Sequence, residues 1–192
     1  MKNVPNYSQV KVVALTGCPG VGKSTVAEIL KKRGYTVKKV DELARKYNCI
    51  IDQVNDTKII NIEKLKSKIN NEKSCNSKFI IIEGHLSHLL NPDIIIILRC
   101  NPLILKKRLK NKGWPNEKIL ENVEAELIDY ILIEALDQDK EIYEIDTSNI
   151  PPNEVANIVE RILSGKDKNL YRPGKIDWIK ALNDKIDEII RK

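Results

Sequence analysis

The chain is poor in the residues from which metal centres, disulfide scaffolds and membrane spans are built. Two of its 192 residues are histidine and four are cysteine, and Cys18, Cys49, Cys75 and Cys100 form no C-x-x-C pair. That spacing supports neither a zinc site nor a disulfide framework. Cys18 has two readings, a reactive thiol or a small filler of a tight turn. Apolar runs are short: Phe79 to Ile82 and Ile94 to Leu98 are the longest, far below the roughly 20 residues that span a bilayer. The first residues are polar, without the apolar stretch of a secretory signal. A membrane protein is therefore excluded as an expectation, and a cytoplasmic one is implied.

What is present describes a globular α/β chain. Hydrophobic residues make up 42% and charged residues 31%, and the length suits one domain with a substantial core but is short for two. The formal net charge is +6. Residues 166 to 192 carry eight Lys or Arg against five Asp or Glu, a basic tail that suits either a polyanionic partner or a solvated helix face. No internal repeat is visible.

One stretch organises the rest. Gly17, four residues, then Gly22-Lys23-Ser24 fits the phosphate-binding pattern G-x-x-x-x-G-K-[ST], and it lies between the apolar run Val12 to Leu15 and the helical Val26 to Leu30. Glycine tolerates φ > 0 and close backbone approach, so successive N–H groups and the following helix N-terminus can converge on anionic oxygens. In this pattern Lys23 reaches the β- and γ-phosphates and the Ser24 hydroxyl ligates Mg²⁺.

Around it, residues 1 to 9 read as a frayed leader. Strands are expected at Val10–Leu15, Tyr35–Val40, Phe79–Glu83, Ile94–Arg99 and Glu141–Asp146. Helices are expected at Lys23–Lys32, after an Asp41 cap, after an Asn61 cap, from Pro102 through Leu109, from an Asn116 cap to Leu136, at Asn153–Leu163, and along the tail from Asp177 to Ile190. Gly84 to Leu90 reads as a turn and short helix. Asn48 to Asn61 has no clear period and suits a substrate-binding insertion. Continuous isoleucine runs flanked by helices indicate a parallel sheet covered on both faces. The tail helix has two readings, packing on the domain or docking a partner.

Glu83 ends a buried strand, where an acid faces the ligand crevice of an open parallel sheet. It can hold Mg²⁺ through water, orient an attacking oxygen, or cap the turn. His85 can touch the γ-phosphate, position water, or brace the turn; His88 reads as structural or superficial. Phosphoryl transfer needs cations around the transferred group, and Arg45, Arg99, Arg108 and Lys112 are the candidates. Arg108 and Lys112 flank Gly113-Trp114-Pro115, a short segment suited to closing over a nucleotide.

The combination of Gly17-Cys-Pro-Gly-Val-Gly-Lys-Ser-Thr25, Glu83-Gly-His85-Leu, Leu98-Arg-Cys-Asn-Pro102, Arg108-Leu-Lys-Asn-Lys-Gly113, Glu121-Asn-Val-Glu-Ala-Glu126 and Tyr143-Glu-Ile-Asp146 resembles the archaeal adenylate kinases related to the eukaryotic nuclear adenylate kinase that also works in small-subunit ribosome assembly. The match covers roughly residues 10 to 163, and Gly174 to Trp178 is similar as well.

The resemblance implies a three-layer P-loop fold of nucleoside monophosphate kinase type, a five-stranded parallel sheet with helices on both faces. It implies ATP and Mg²⁺, AMP as acceptor, an intrinsic ATPase activity, and a small-subunit ribosomal protein and ribosomal RNA as partners. Gly20, Val21, Gly22, Lys23, Ser24 and Thr25 would bind ATP with Lys112 and Ile150, and Ser24 and Glu83 would serve the metal. Lys23, Glu83, His85 and Arg108 would be catalytic. The monophosphate segment would run over 39–62, with Lys39 and Arg45 on the acceptor, the lid over 111–121 and the helical tail over 175–192, all within one domain of residues 1–192. Lys112 stands where relatives often have Arg, which keeps charge but loses the bidentate grip. Glu83 stands where some have Asp, and Ile150 replaces a Lys, leaving backbone contact there. An ATP-driven assembly switch is the rival reading, with the kinase activity secondary.

Overall fold

A computed structural model describes residues 10–54, 57–74, 77–186 and 189. The expected leader over 1–9, Cys75, residues 55–56 of the proposed acceptor segment and most of the tail beyond 186 lie outside the described residues.

Five strands, β1 (Lys11–Thr16), β2 (Thr36–Lys39), β5 (Phe79–Glu83), β6 (Ile94–Arg99) and β7 (Glu141–Asp146), form one sheet in the order β2-β5-β1-β6-β7. Every pairing in it is parallel. The reason lies in composition: β6 reads Ile-Ile-Ile-Ile-Leu-Arg and all six residues are buried, as a central strand covered on both faces requires. Alternate side chains enter opposite layers. Ile80 and Ile82 join Val12 in one core with Leu43 and Leu65, whereas Ile81 joins Val13 and Leu15 in the larger core on the other side.

The larger core is covered by α1 (Lys23–Lys32), α4 (Pro102–Asn111), α5 (Asn116–Leu127), α6 (Tyr130–Leu136) and α7 (Pro152–Leu163). The smaller one is covered by α2 (Val40–Lys46) and α3 (Ile62–Lys68). Asn61 and Asn101 cap α3 and α4 as expected, accepting from Lys64 N at 2.9 Å and Leu103 N at 3.0 Å.

Several boundaries differ, each for a local reason. β1 runs one residue later than expected, Lys11 to Thr16. Helix α2 starts at Val40 with Lys39 as its cap; Asp41 lies in the first turn and pairs with Lys58 at 3.0 Å. Asn48 to Asn61, expected to lack pattern, holds an antiparallel hairpin of β3 (Ile50–Val54) and β4 (Thr57–Ile60). The single helix expected over Asn116 to Leu136 is two, because Asp129 adopts φ 57° and gives its carboxylate to Arg99; Asn116 is the first helical residue, after a Pro115 cap. The tail helix is short. Asp177 caps α8 (Trp178–Leu182), accepting from Lys180 N at 2.8 Å, and Asn183 at φ 32° ends it before a 3-10 turn.

Of the two readings of the tail, packing is the one observed. Trp178, Leu182 and Ile189 are buried in the larger core.

Candidate active site at the end of the central strand

Strand β1 occupies the middle of the sheet, so the loop leaving its carboxyl end sits where the strand order diverges to either side, the crevice position of open parallel sheets. The loop is shaped by what a side chain would strike. A Cβ on Gly17 would lie 2.3 Å from the Leu98 carbonyl oxygen, and one on Gly20 would lie 2.8 Å from both Leu105 Cδ1 and Leu109 Cδ2. Gly20 also has φ 93°, a conformation that glycine adopts without penalty. Cys18 is buried, and burial pushes its thiol well above the ordinary range. It fills the turn and is not a reactive thiolate.

Lys23, the first residue of α1, folds back over the loop. Its Nζ donates to the carbonyls of Gly17 at 2.8 Å and Cys18 at 2.9 Å. Only 8% of the residue is exposed, and burial lowers its pKa to about 8, with Glu83 and Cys18 opposing and Lys112 adding to the fall. The first turn of α1 carries no acidic residue, so nothing competes with an anion for its N-terminal dipole.

Glu83, the last residue of β5, is buried and accepts from the exposed Ser24 hydroxyl at 3.1 Å. A carboxylate beside a hydroxyl is a hard-oxygen pair suited to Mg²⁺ shared with phosphate oxygens and water. Among the described residues no group of three or more His, Cys, Asp or Glu gathers as a metal cage. Lys39 is Glu83's register partner across the sheet, and its Nζ lies 3.6 Å from Glu28.

Gly84 carries the chain away from Glu83; its N–H reaches the Leu15 carbonyl at 3.2 Å, and a Cβ there would meet Val40 at 2.6 Å. His85 is thereby exposed at the crevice. Partial dehydration by the surrounding protein, with the Lys23 charge, holds its pKa below the ordinary imidazole value. His88 is wholly buried, in contact with Thr16 and Glu134.

The four remaining cations differ in their surroundings. Lys112 caps the end of α4 in the open and is near enough for Lys23 to feel its charge. Arg108, half-buried, donates to the carbonyls of Thr147 at 2.7 Å and Ser148 at 3.1 Å. Arg45 is exposed on α2 and makes no ion pair among the described residues. Arg99, expected as a candidate phosphate cation, is corrected: it is 2% exposed and its guanidinium is consumed by Glu126 at 2.7 Å, Glu144 and Asp129.

Two groups of residues behind the loop escaped the sequence reading. Thr147 Oγ1 lies 2.8 Å from the Val21 carbonyl and 2.9 Å from that of Arg99, tying the loop after β7 to the phosphate loop. Glu126 Oε1 accepts from Arg99 Nε, from Cys100 N at 3.1 Å and from Trp178 Nε1 at 3.0 Å, while Glu144 accepts from Gly174 N at 2.9 Å. Their sequence signal is acids on the apolar faces of α5 and β7, which a buried arginine at the end of β6 would explain. Ile150, half-buried, packs against the larger core.

No helix among the described residues is long and apolar enough to cross a membrane. A family model described as an AAA domain matches residues 13–129. Proteins named "Putative adenylate kinase" are similar over nearly the whole chain. The one from Archaeoglobus fulgidus is 50% identical over 94% of this chain and 99% of its own, and the one from Methanocaldococcus jannaschii is 42% identical over 90% and 95%. Solved structures share the fold at low identity: a shikimate kinase from Acinetobacter baumannii (TM-score 0.55, 17% identical, 84% of this chain and 97% of that one) and a thymidylate kinase from Candida albicans (TM-score 0.53, 16% identical, 83% and 93%). With a glycine loop closed over Lys23 at the centre of a five-stranded parallel sheet, and half of its residues shared with a full-length relative, the chain belongs to the archaeal P-loop family whose members carry the adenylate kinase name.

Proposed function

We propose that the protein transfers the γ-phosphoryl group of ATP to a nucleoside monophosphate, AMP foremost. The observation that carries this reading is the Lys23 ammonium held by the Gly17 and Cys18 carbonyls beside the Ser24–Glu83 pair. Lys23 exchanges those carbonyls for β- and γ-phosphate oxygens, and Gly20, Val21, Gly22, Ser24 and Thr25 cradle the same phosphates with backbone N–H groups. Ser24 and Glu83 would hold Mg²⁺, which when bound would supply positive charge to the phosphates. Ile150 would meet the adenine through its backbone.

A phosphate oxygen of the acceptor bonds to the γ-phosphorus as the bond to the β–γ bridging oxygen breaks. ATP leaves as ADP, and AMP becomes ADP. An anionic acceptor needs alignment more than a base. The segment 39–62, with Lys39 and Arg45, supplies that alignment, and the 111–121 segment closes as a lid, bringing Lys112 to the transferred group. Arg108 adds charge from the same side while bracing Thr147 and Ser148 against the loop. The tail over 175–192 belongs to the same single domain.

Turnover of ATP with AMP, CMP, GMP, UMP, dCMP and no acceptor tests the reading, with Lys23→Ala as control. Acceleration of ADP formation by a monophosphate is expected. Steady Lys23-dependent hydrolysis that no monophosphate accelerates would reject the kinase and leave the ATPase. That second reading is favoured by one observation, the exposed His85 with a depressed pKa, a neutral base able to orient water. The small-subunit ribosomal protein and RNA implied by the resemblance belong to this wider proposal. ATP-sensitive capture by purified small-subunit proteins is its test.

A further inference from the structure

Beneath the His85 turn lies a closed line of polar atoms. Glu134 Oε2 is 3.1 Å from His88 Nε2, His88 Nδ1 is 3.1 Å from Thr16 Oγ1, and Thr16 Oγ1 is 3.1 Å from the His85 carbonyl oxygen. Thr16 and His88 are fully buried, and Glu134, on α6, is about one third exposed. Three links need three hydrogens. A neutral imidazole supplies one and the threonine hydroxyl one, so with Glu134 ionised the line is one proton short. The carbonyl can only accept, and it therefore receives the Thr16 hydrogen only when His88 donates from Nδ1. His88 must then donate from Nε2 as well, or Glu134 must carry the missing proton. Without that third proton the Thr16 hydroxyl turns to His88 Nδ1, His88 keeps its bond to the carboxylate, and the His85 carbonyl is released.

We infer that His88 is a positioning residue whose relay to Glu134 takes up one extra proton on acidification, and that this proton pins the His85 turn to the end of β1. The pinned carbonyl fixes the turn that follows Glu83 and presents His85 to the crevice, one residue before the phosphate loop begins on β1. The inference rests on the proposed phosphoryl transfer for its effect on rate, but the relay itself does not. The groups facing the imidazole are Thr16 from β1, Glu134 from α6 with the Tyr130 hydroxyl on its other oxygen at 3.1 Å, and His85 in the same turn. On the α3 side, Glu63 and Lys66 line the cavity that Glu134 borders. Burial holds the His88 pKa below the ordinary imidazole value, outweighing the rise from Glu134 and from the His85 backbone, so the third proton is taken up only on the acid side.

The test uses the full chain. Ring-nitrogen NMR on the free protein should show two N–H protons on the relay at low pH. One should be lost on raising pH, with the Leu86 amide shift, which reports on the His85 carbonyl, moving at the same midpoint. Turnover of ATP with AMP should fall through that midpoint by about fivefold, the weight of one net hydrogen bond. Glu134→Gln donates its amide hydrogen to His88 Nε2 at every pH, so its Leu86 shift and its turnover should stay at the low-pH plateau. His88→Asn, which keeps a donor where Nδ1 stood, should behave likewise, whereas His88→Ala should lower turnover at unchanged ATP affinity. A Leu86 shift with no titration in the wild type, or one that titrates alike in Glu134→Gln, overturns the relay whatever the enzyme phosphorylates. Failure of every monophosphate to accelerate turnover overturns only the kinase reading, and the NMR arm still decides the relay. Equal activity of His88→Ala and His88→Asn, or a Glu134→Gln profile superimposed on the wild type, overturns the positioning role.

Discussion

Raising the pH should weaken ATP binding through Lys23 while making the nucleotide-free protein more stable. The ammonium is buried, and dehydration lowers its pKa to about 8. Only the charged form brings a positive charge and three donor hydrogens to the phosphates. Between about pH 7 and pH 9 its charged fraction falls from about nine-tenths to about one-tenth, so ATP affinity should drop about tenfold, or ~1.4 kcal/mol. Nucleotide phosphates are anionic throughout this window and do not mimic the effect. Linkage gives the opposite sign for folding. The unfolded lysine binds protons more tightly than the folded one, so the unfolded state holds more protons between the folded value of about 8 and the ordinary lysine value of 10.5. Stability conferred through this group therefore rises with pH across that window. Calorimetric titration in buffers of different ionisation enthalpy measures the affinity and the protons taken up, expected near half a proton per ATP at about pH 8. Lys23→Arg stays charged throughout and should lose the pH dependence while binding more weakly. Affinity unchanged across the window in the wild type, or falling equally in Lys23→Arg, would refute the depressed lysine.

Two further substitutions probe the scaffold. Gly20→Ala combines φ 93° with a Cβ 2.8 Å from Leu105 and Leu109; it should cost about 1–3 kcal/mol in thermal unfolding and weaken ATP binding, while Gly22→Ala, with nothing within 4 Å, should carry the backbone strain alone. Arg99→Met strands Glu126 and Glu144 in the core and should cost about 3–5 kcal/mol. Burial already holds Glu126 above the usual carboxylate range, so the folded state of the variant takes up protons first, and its deficit at neutral pH should shrink on acidification in urea titrations. A small deficit that pH does not alter would count against the buried-charge account.

The layout of the sheet was legible because β5 and β6 are isoleucine runs, β1 is a short apolar run and its loop follows a fixed spacing. Lys23, Ser24 and Glu83 were legible for the same reason: each sits at an element end that an open parallel sheet turns toward one crevice. Arg99 was misread although it too ends a strand, because its side chain points into the layer where α5 places Glu126 and not toward the loop. Position along a strand reveals its end but not which ion pair waits there. The break at Asp129 was hidden similarly, since the helical spacing of Ile119, Val123, Leu127 and Ile131 continues across it and only the tertiary pull of Arg99 interrupts the backbone. The hairpin of β3 and β4 leaves Ile51 and Ile59 exposed, so no buried face impressed a period on its sequence. The relay through His88 joins residues 72 and 46 positions apart, a separation that no local pattern marks.

The scarcity of aromatic residues has one useful consequence. The two tryptophans are the half-buried Trp114, between α4 and α5, and the buried Trp178, whose indole donates to the carboxylate behind the phosphate loop. The molecule thus carries two tryptophan fluorophores, one half-buried and one buried, each in a different solvent environment. Replacing either with phenylalanine leaves an optical channel for the other, so the surroundings of Trp114 and of Trp178 can be followed separately in an unlabelled protein.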